Sequence, residues 1–152
     1  MDRIDRKILW HLQRQADLSH AELADRVGSS QASVWRRVRA LEKDGTLRAT
    51  VRLVDAAKVG QTVNVLCEVR LRDYSGECVA AFEAFVRDDT RILECFSMSG
   101  QWDYLMRVVA DGVSGYEEFL MRVLLKHPSV AGASSHFALS VTKYETAMPI
   151  PD

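Results

Sequence analysis

Residues 29 to 39, SSQASVWRRVR, carry three arginines, Arg36, Arg37 and Arg39, behind the short polar side chains of Ser30, Gln31 and Ser33, with Trp35 among them. A guanidinium is planar and permanently charged. Its paired donors match two acceptors set side by side, as on a phosphate or on the major-groove edge of guanine. Serine hydroxyls and a glutamine amide add single hydrogen bonds to phosphate oxygens or base edges. This is the chemistry of binding and not of bond making. His11, His20, His127 and His136 show no spacing that converges on a metal, and the chain has no glycine-rich phosphate loop and no nucleophile motif. No catalytic set, metal or cofactor is therefore expected.

Such side chains read DNA only if a rigid element presents them together. Ser19 and Glu22 have the spacing of a capping box that opens a helix at His20. Gly28 sits where the chain must turn sharply, and Ser30 is placed to cap a second helix. Ala24, small, and Val34, apolar, lie where two helices would touch. The pattern predicts a helix-turn-helix whose second helix enters the major groove of double-stranded DNA. On that helix Val34, Val38 and Leu41 point inward, leaving Ala32, Ser33, Arg36 and Arg39 on other faces, with Trp35 on a flank. Arg37 lies beside the apolar stripe, which suits a partly structural role. A solvated helix face is the ordinary fate of one surface arginine, so the assignment to DNA rests on the group. A first helix is expected from Asp2 to about Gln15, with Ile4, Ile8, Leu9 and Leu12 as its apolar stripe. After Lys43-Asp44-Gly45, TLRATVRLV alternates apolar and basic residues and reads as a strand, a wing able to touch the DNA backbone.

Charge follows the same division. Residues 1–52 hold eleven basic and seven acidic residues, leaving nine basic against fourteen acidic in the remainder, for a net charge of −1 overall. A basic first third on an acidic remainder suggests that only the first part meets phosphate. The 152 residues are 47% hydrophobic and 27% charged, an ordinary globular composition. No apolar run approaches the roughly 18 residues of a membrane span, and the N-terminus does not resemble a secretory signal. Cys67, Cys78 and Cys95 are odd in number and scattered, which suits a reducing cytoplasm.

Beyond residue 53 the period changes. Val63 to Leu71 alternates as a strand and Gly76 to Arg87 is helical. Ile92–Ser99 and Asp103–Val109 are strand-like, Ser114 to Lys126 is helical, and Val130 to Lys143 reads as a last long strand. The order β-α-β-β-α-β is the ferredoxin-like arrangement. The chain is thus expected to be α+β: a winged helix-turn-helix domain over 1–53, a linker over 54–62 and a ferredoxin-like domain over 63–152. With both helices on one face of the sheet, apolar residues on the other face predict self-association. A dimer would present two recognition helices to two half-sites.

Taken in order and spacing, DRIDRKIL, ELADRVGSSQASVWRRVRALEKDG, SGQWDYLMRV and the closing TKYETAMPI resemble the Lrp/AsnC, or feast-famine, family of prokaryotic transcription regulators over nearly the whole chain. The resemblance implies a cytoplasmic, nucleoid-associated regulator. It would bind a small effector, usually an amino acid, between dimers that assemble further, often to a tetramer of dimers. It places the effector loop at Gly100, Gln101, Trp102, Asp103 and Tyr104, with Asp103 matching a family aspartate tied to effector response. Ser135 falls where threonine is common, and His136 and Phe137 adjoin it. The chain departs from the family pattern at Gln31 (commonly proline), Thr50 (commonly aromatic), Ala133 (often polar) and the bulky Trp102. Without the resemblance, Gly100 and Asp103 also suit a plain hairpin. Two other readings stay open: a siroheme-decarboxylase-like enzyme on the same plan, for which His136 and Arg107 are the evident candidates, and an architectural protein of low sequence specificity.

Overall fold

The computed structural model describes residues 1–151 as two compact units, one of residues 1–53 together with the C-terminal residues from 142 on, and one of residues 54–141. In the first, α1 (Arg3–Leu12), α2 (His20–Val27) and α3 (Gln31–Lys43) close around Ile8, Leu23, Ala24, Val27, Val34, Val38 and Leu41. Local signals set each start. Asp2 accepts from the amides of Ile4 and Asp5 at 2.8 and 3.0 Å, while the Asp5 carboxylate accepts from the amide of Asp2. Ser19 and Glu22 form the same reciprocal box at α2. Gly28 adopts φ 72°, ψ 48°, and its amide and that of Ser29 both donate to the carbonyl of Ala24. A side chain would be strained in this left-handed conformation.

The predicted wing strand does not form. Leu47 packs on the helical core, and its amide donates to the carbonyl of Leu41. Residues 48–54 have no ladder and are exposed. Alternation alone makes no strand where no other segment of the unit pairs with it. The chain's end also departs from the expected 63–152 domain. Gln13 donates to the carbonyl of Met148 at 2.8 Å and accepts from its amide at 2.7 Å, and Ile150 packs on the helical core.

In the second unit β1 (Val63–Leu71), α4 (Gly76–Asp88), β2 (Ile92–Ser97), β3 (Tyr104–Ala110), α5 (Val113–Glu118) and β4 (Val130–Phe137) follow in the predicted order. α5 runs on into a wider π-helical stretch, Phe119–Leu124. The antiparallel sheet has the order β2-β3-β1-β4. Val65, Cys67 and Val69 of β1 and Met106 and Val108 of β3 face Phe82 of α4, Tyr116 of α5 and Phe119 of the π-helical stretch in the core. β4 stops at Phe137, six residues short of the expected Lys143, because Phe137 pairs with Val65 near the start of β1. Only the Ala138 amide reaches further, to the carbonyl of Asn64.

Candidate nucleic-acid interface and effector loop

α3 is capped by Ser30, whose Oγ accepts from the Ser33 amide at 3.3 Å. The capping bond uses the oxygen and leaves the hydroxyl proton of Ser30 for an outside acceptor. Gln31, Ala32, Trp35, Arg36, Arg39 and Lys43 are exposed and Ser33 is half-buried. Arg36 forms no ion pair among the described residues, so its fork is unengaged. The Arg39 guanidinium lies 5.9 Å from the centroid of the Trp35 ring and 3.0 Å from a Glu42 oxygen. One turn of helix therefore presents an arginine steadied on an indole face.

Arg37 is directed elsewhere. Its Nη1 is 2.7 Å from Asp2 and 2.7 Å from Asp5, and the side chain is three-quarters covered. The two carboxylates hold the Arg37 guanidinium more firmly charged than usual, Asp5 contributing most. The backbone amide of Asp5 and then Arg37 keep the Asp2 carboxyl below its ordinary range. Of the expected DNA-facing residues, Arg37 is the one that fastens α3 to the start of α1.

In the second unit Gly100 turns with φ 131° between β2 and β3. Asp103 is already occupied: Oδ2 accepts from the Leu71 amide at 2.7 Å and Oδ1 from the Tyr74 hydroxyl at 3.0 Å. That bond raises the Tyr74 pKa above its ordinary value. The Arg70 guanidinium stacks 4.9 Å from the Trp102 ring centroid and donates to the carbonyl of Gln101 at 3.2 Å. Asp103 thus joins the loop to the end of β1, and Arg70 lies across Trp102. Sequence reasoning missed Arg70 and Tyr74. Arg70 was legible as an outward position of β1, whereas Tyr74 had no periodic signal.

The loop residues do not converge. Tyr104 is buried against Phe82, its hydroxyl 3.3 Å from Glu83. Ser135 and His136 project to opposite faces of the sheet. Ser135 pairs with the core-facing Cys67, and its hydroxyl shares a 2.6 Å hydrogen bond with that of Tyr116. His136 lies on the open face, its Nε2 3.3 Å from Glu68 and 3.3 Å from Ser134. The strict alternation of a strand separates neighbours in this way. On the same open face Leu66 and Phe96 are exposed, beside the ion pair of Arg107 with Glu94.

The chain matches a winged helix-turn-helix DNA-binding domain over residues 1–48 and an Lrp/AsnC ligand binding domain over residues 64–148. It is 34% identical over 150 residues to the DNA-binding transcriptional activator DecR of Escherichia coli, covering 99% of each chain. It is 35% identical to the Bkd operon transcriptional regulator of Pseudomonas aeruginosa, over 99% of this chain and 98% of the other. Among solved structures, a transcriptional regulator of Neisseria meningitidis in complex with L-Met superposes with a TM-score of 0.94 at 31% identity, over 98% of this chain and 96% of that one.

Proposed function

Because the chain belongs to the Lrp/AsnC family of transcriptional regulators, we propose that it is a sequence-specific DNA-binding regulator whose α3 reads the major groove through Arg36 and Arg39, with Ser30, Gln31, Ser33 and Trp35 in support. The observation that carries this reading is the outward face of α3. Arg36, which forms no ion pair among the described residues, and Arg39, paired only within the helix to Glu42, stand on it, while the third, Arg37, is committed to Asp2 and Asp5 at the start of α1. Arg48 and Arg52 in the exposed stretch after α3 add phosphate contacts.

The second unit binds a small effector, and we assign it to the amino-acid class. The Neisseria relative is described as a complex with L-Met, and Gly100–Asp103 offers loop amides beside a carboxylate. Since Asp103 already accepts two hydrogen bonds, its remaining lone pairs and the Trp102 ring are what such a ligand would meet. Self-association uses the open sheet face, where Leu66 stands exposed between the Glu68–His136 and Glu94–Arg107 pairs and Phe96 is exposed on the edge strand β2. The effector acts by preferring one assembly, and its effect cannot exceed its differential affinity for the states involved. We read the protein as a regulator and not an enzyme, and as acting in the cytoplasm, because the named relatives are transcription regulators.

A thermal-melt screen of the full chain against the twenty amino acids tests the effector reading. A ligand at about 100 times its dissociation constant adds about 2.7 kcal/mol. That is a shift of several degrees, to be followed by DNA titrations with and without the hit. No shift with any amino acid overturns the effector class and leaves the DNA reading standing.

A further inference from the structure

Helix α1 carries a second basic surface that the recognition helix does not explain. At 100° per residue, Arg3, Lys7 and Trp10 fall within about 60° of one another, opposite Ile4, Ile8, Leu9 and Leu12, and Arg14 follows in the turn just after the helix. All four are exposed, Trp10 by half its surface. The Arg14 guanidinium lies 4.4 Å from the Trp10 ring centroid and donates to the Trp10 carbonyl at 2.9 Å. Arg26 of α2 reaches the end of the same helix, donating to the Gln15 side chain at 3.0 Å. Among the described residues, Arg3, Lys7, Arg14 and Arg26 form no ion pair. The acids at the start of α1, Asp2 and Asp5, are taken up by Arg37. The Glu145 carboxylate accepts from the Ala147 amide at 2.9 Å and forms no ion pair with Arg14. Burial, and then the charges of Arg26, Lys7 and Arg14, lowers the pKa of His11 at the edge of the stripe below its ordinary value.

A helix face that serves solubility alone mixes signs, since like charges at i and i+4 destabilise it. This face keeps Arg3 and Lys7 at that spacing without an acid between them. Its single apolar group is an indole under a guanidinium, too little apolar surface for a bilayer. From Arg3 to Leu12 the helix axis runs about 14 Å, against roughly 3.4 Å of duplex axis per phosphate on one strand. The geometry points to a second DNA contact: the α1 stripe Arg3–Lys7–Trp10, with Arg14 and Arg26 at its end, grips the phosphate backbone beyond the segment read by α3. This rests on the DNA-binding reading and extends it from one face of the first unit to two.

The test is an anisotropy titration of the full-length protein on mixed-sequence duplex DNA, one duplex short and one several helical turns longer, from about 50 to about 200 mM salt. The triple variant Arg3→Gln/Lys7→Gln/Arg14→Gln is compared with Arg36→Ala and with the parent chain. Each lost phosphate contact lowers the slope of log affinity against log salt by about 0.9, so the triple variant loses roughly 2 to 3 in slope on the longer duplex. On the short duplex, which α3 alone can fill, it loses little. An unchanged slope on both duplexes, with circular dichroism showing a folded protein, overturns the proposal. If the triple variant unfolds, the single variants Lys7→Gln and Arg14→Gln each reduce the slope by about 0.9 or the proposal fails. If the parent chain itself shows no salt-dependent affinity, the DNA-binding reading fails instead. If Arg36→Ala weakens binding while the α1 variants do not, only the second contact is lost.

Discussion

Arg37 of α3 holds Asp5 of α1 through a single nitrogen, Nη1, at 2.7 Å, and the same nitrogen lies 2.7 Å from Asp2. The recognition helix is thus tied to the helix before it by a cation that looks, in the run Arg36-Arg37-Val38-Arg39, like one more DNA ligand. Arg37→Met keeps the stem and removes the charge. It lowers the melting temperature of the protein and leaves two carboxylates facing each other without a cation. DNA affinity, measured well below that temperature, falls far less than for Arg36→Ala. Equal losses of affinity in the two variants would return Arg37 to the DNA-facing group.

Arg36 has the opposite profile, being exposed with no ion pair among the described residues. Arg36→Ala leaves the melting temperature within about a degree, because an exposed, unpaired surface residue contributes little to stability. Its loss appears on DNA. A base contact costs about 1–3 kcal/mol on a preferred site and relaxes specificity at one position. A phosphate contact lowers affinity uniformly across sequences and the salt slope by about 0.9. A titration on two unrelated duplexes at several salt concentrations separates the two.

What the sequence made legible here was local. Ser19 and Glu22, Gly28, and Ser30 with Ser33 act across three residues or fewer, and their types and spacing imply the caps and the turn directly. The succession of elements, β-α-β-β-α-β, likewise followed from periodicity. Relationships across long stretches were not legible. Nothing in the pattern pairs Arg37 with Asp2, 35 residues away, or Gln13 with Met148, 135 residues away. Alternation through Val141 implied a longer β4, but a strand lasts only as long as its neighbour, and β1 runs out near Val65. Asp103 is the intermediate case. Its type and place in a turn were readable, while its bonds to Leu71 and Tyr74 depend on the end of β1.

The C-terminal residues are a structural part of the first unit. The reciprocal bonds between Gln13 and Met148, and Ile150 against the helical core, predict that ending the chain after Thr142 destabilises the helix-turn-helix. Two hydrogen bonds at about 0.5–1.5 kcal/mol each give roughly 1–3 kcal/mol before the apolar term of Ile150. Amide hydrogen exchange locates the effect: protection falls in α1 and α2 while β1 and β3 keep theirs. Uniform protection in both forms would show that the tail is dispensable.

His127 makes the second unit sensitive to mild acid. Its ring lies 4.9 Å from that of Phe85, and Nδ1 accepts from the Ser129 amide at 3.2 Å, a role open only to the neutral ring. Burial lowers its pKa below the ordinary 6.5. The folded state therefore binds fewer protons than the unfolded chain. The stabilising contribution is complete above about 6.5 and declines as pH falls through that value toward the lower folded one. Melting temperature measured from about pH 8 to about pH 5.5 falls for the parent chain. For His127→Gln it starts lower and changes less over the same range. Parallel curves would assign the acid sensitivity to other groups.

Asp103 decides whether the loop between β2 and β3 is a sensor or only a joint. Its carboxylate accepts from the Leu71 amide and the Tyr74 hydroxyl, so removing it orphans a half-buried amide at a cost of about 1–3 kcal/mol. A lost effector response in Asp103→Ala would therefore be ambiguous, since the loop itself would loosen. Asp103→Asn retains one carbonyl oxygen for the Leu71 amide and removes the negative charge. Tyr74→Phe removes one hydrogen bond and leaves the charge. If the carboxylate holds the amino group of an effector, Asp103→Asn folds nearly as well as the parent chain and loses the ligand-induced thermal shift, while Tyr74→Phe retains it. If Asp103 is only a joint, Asp103→Asn keeps the full shift. Retention of the shift in Asp103→Asn, with its loss on Trp102→Ala, would move recognition to the aromatic side of the loop, where Arg70 already covers the ring.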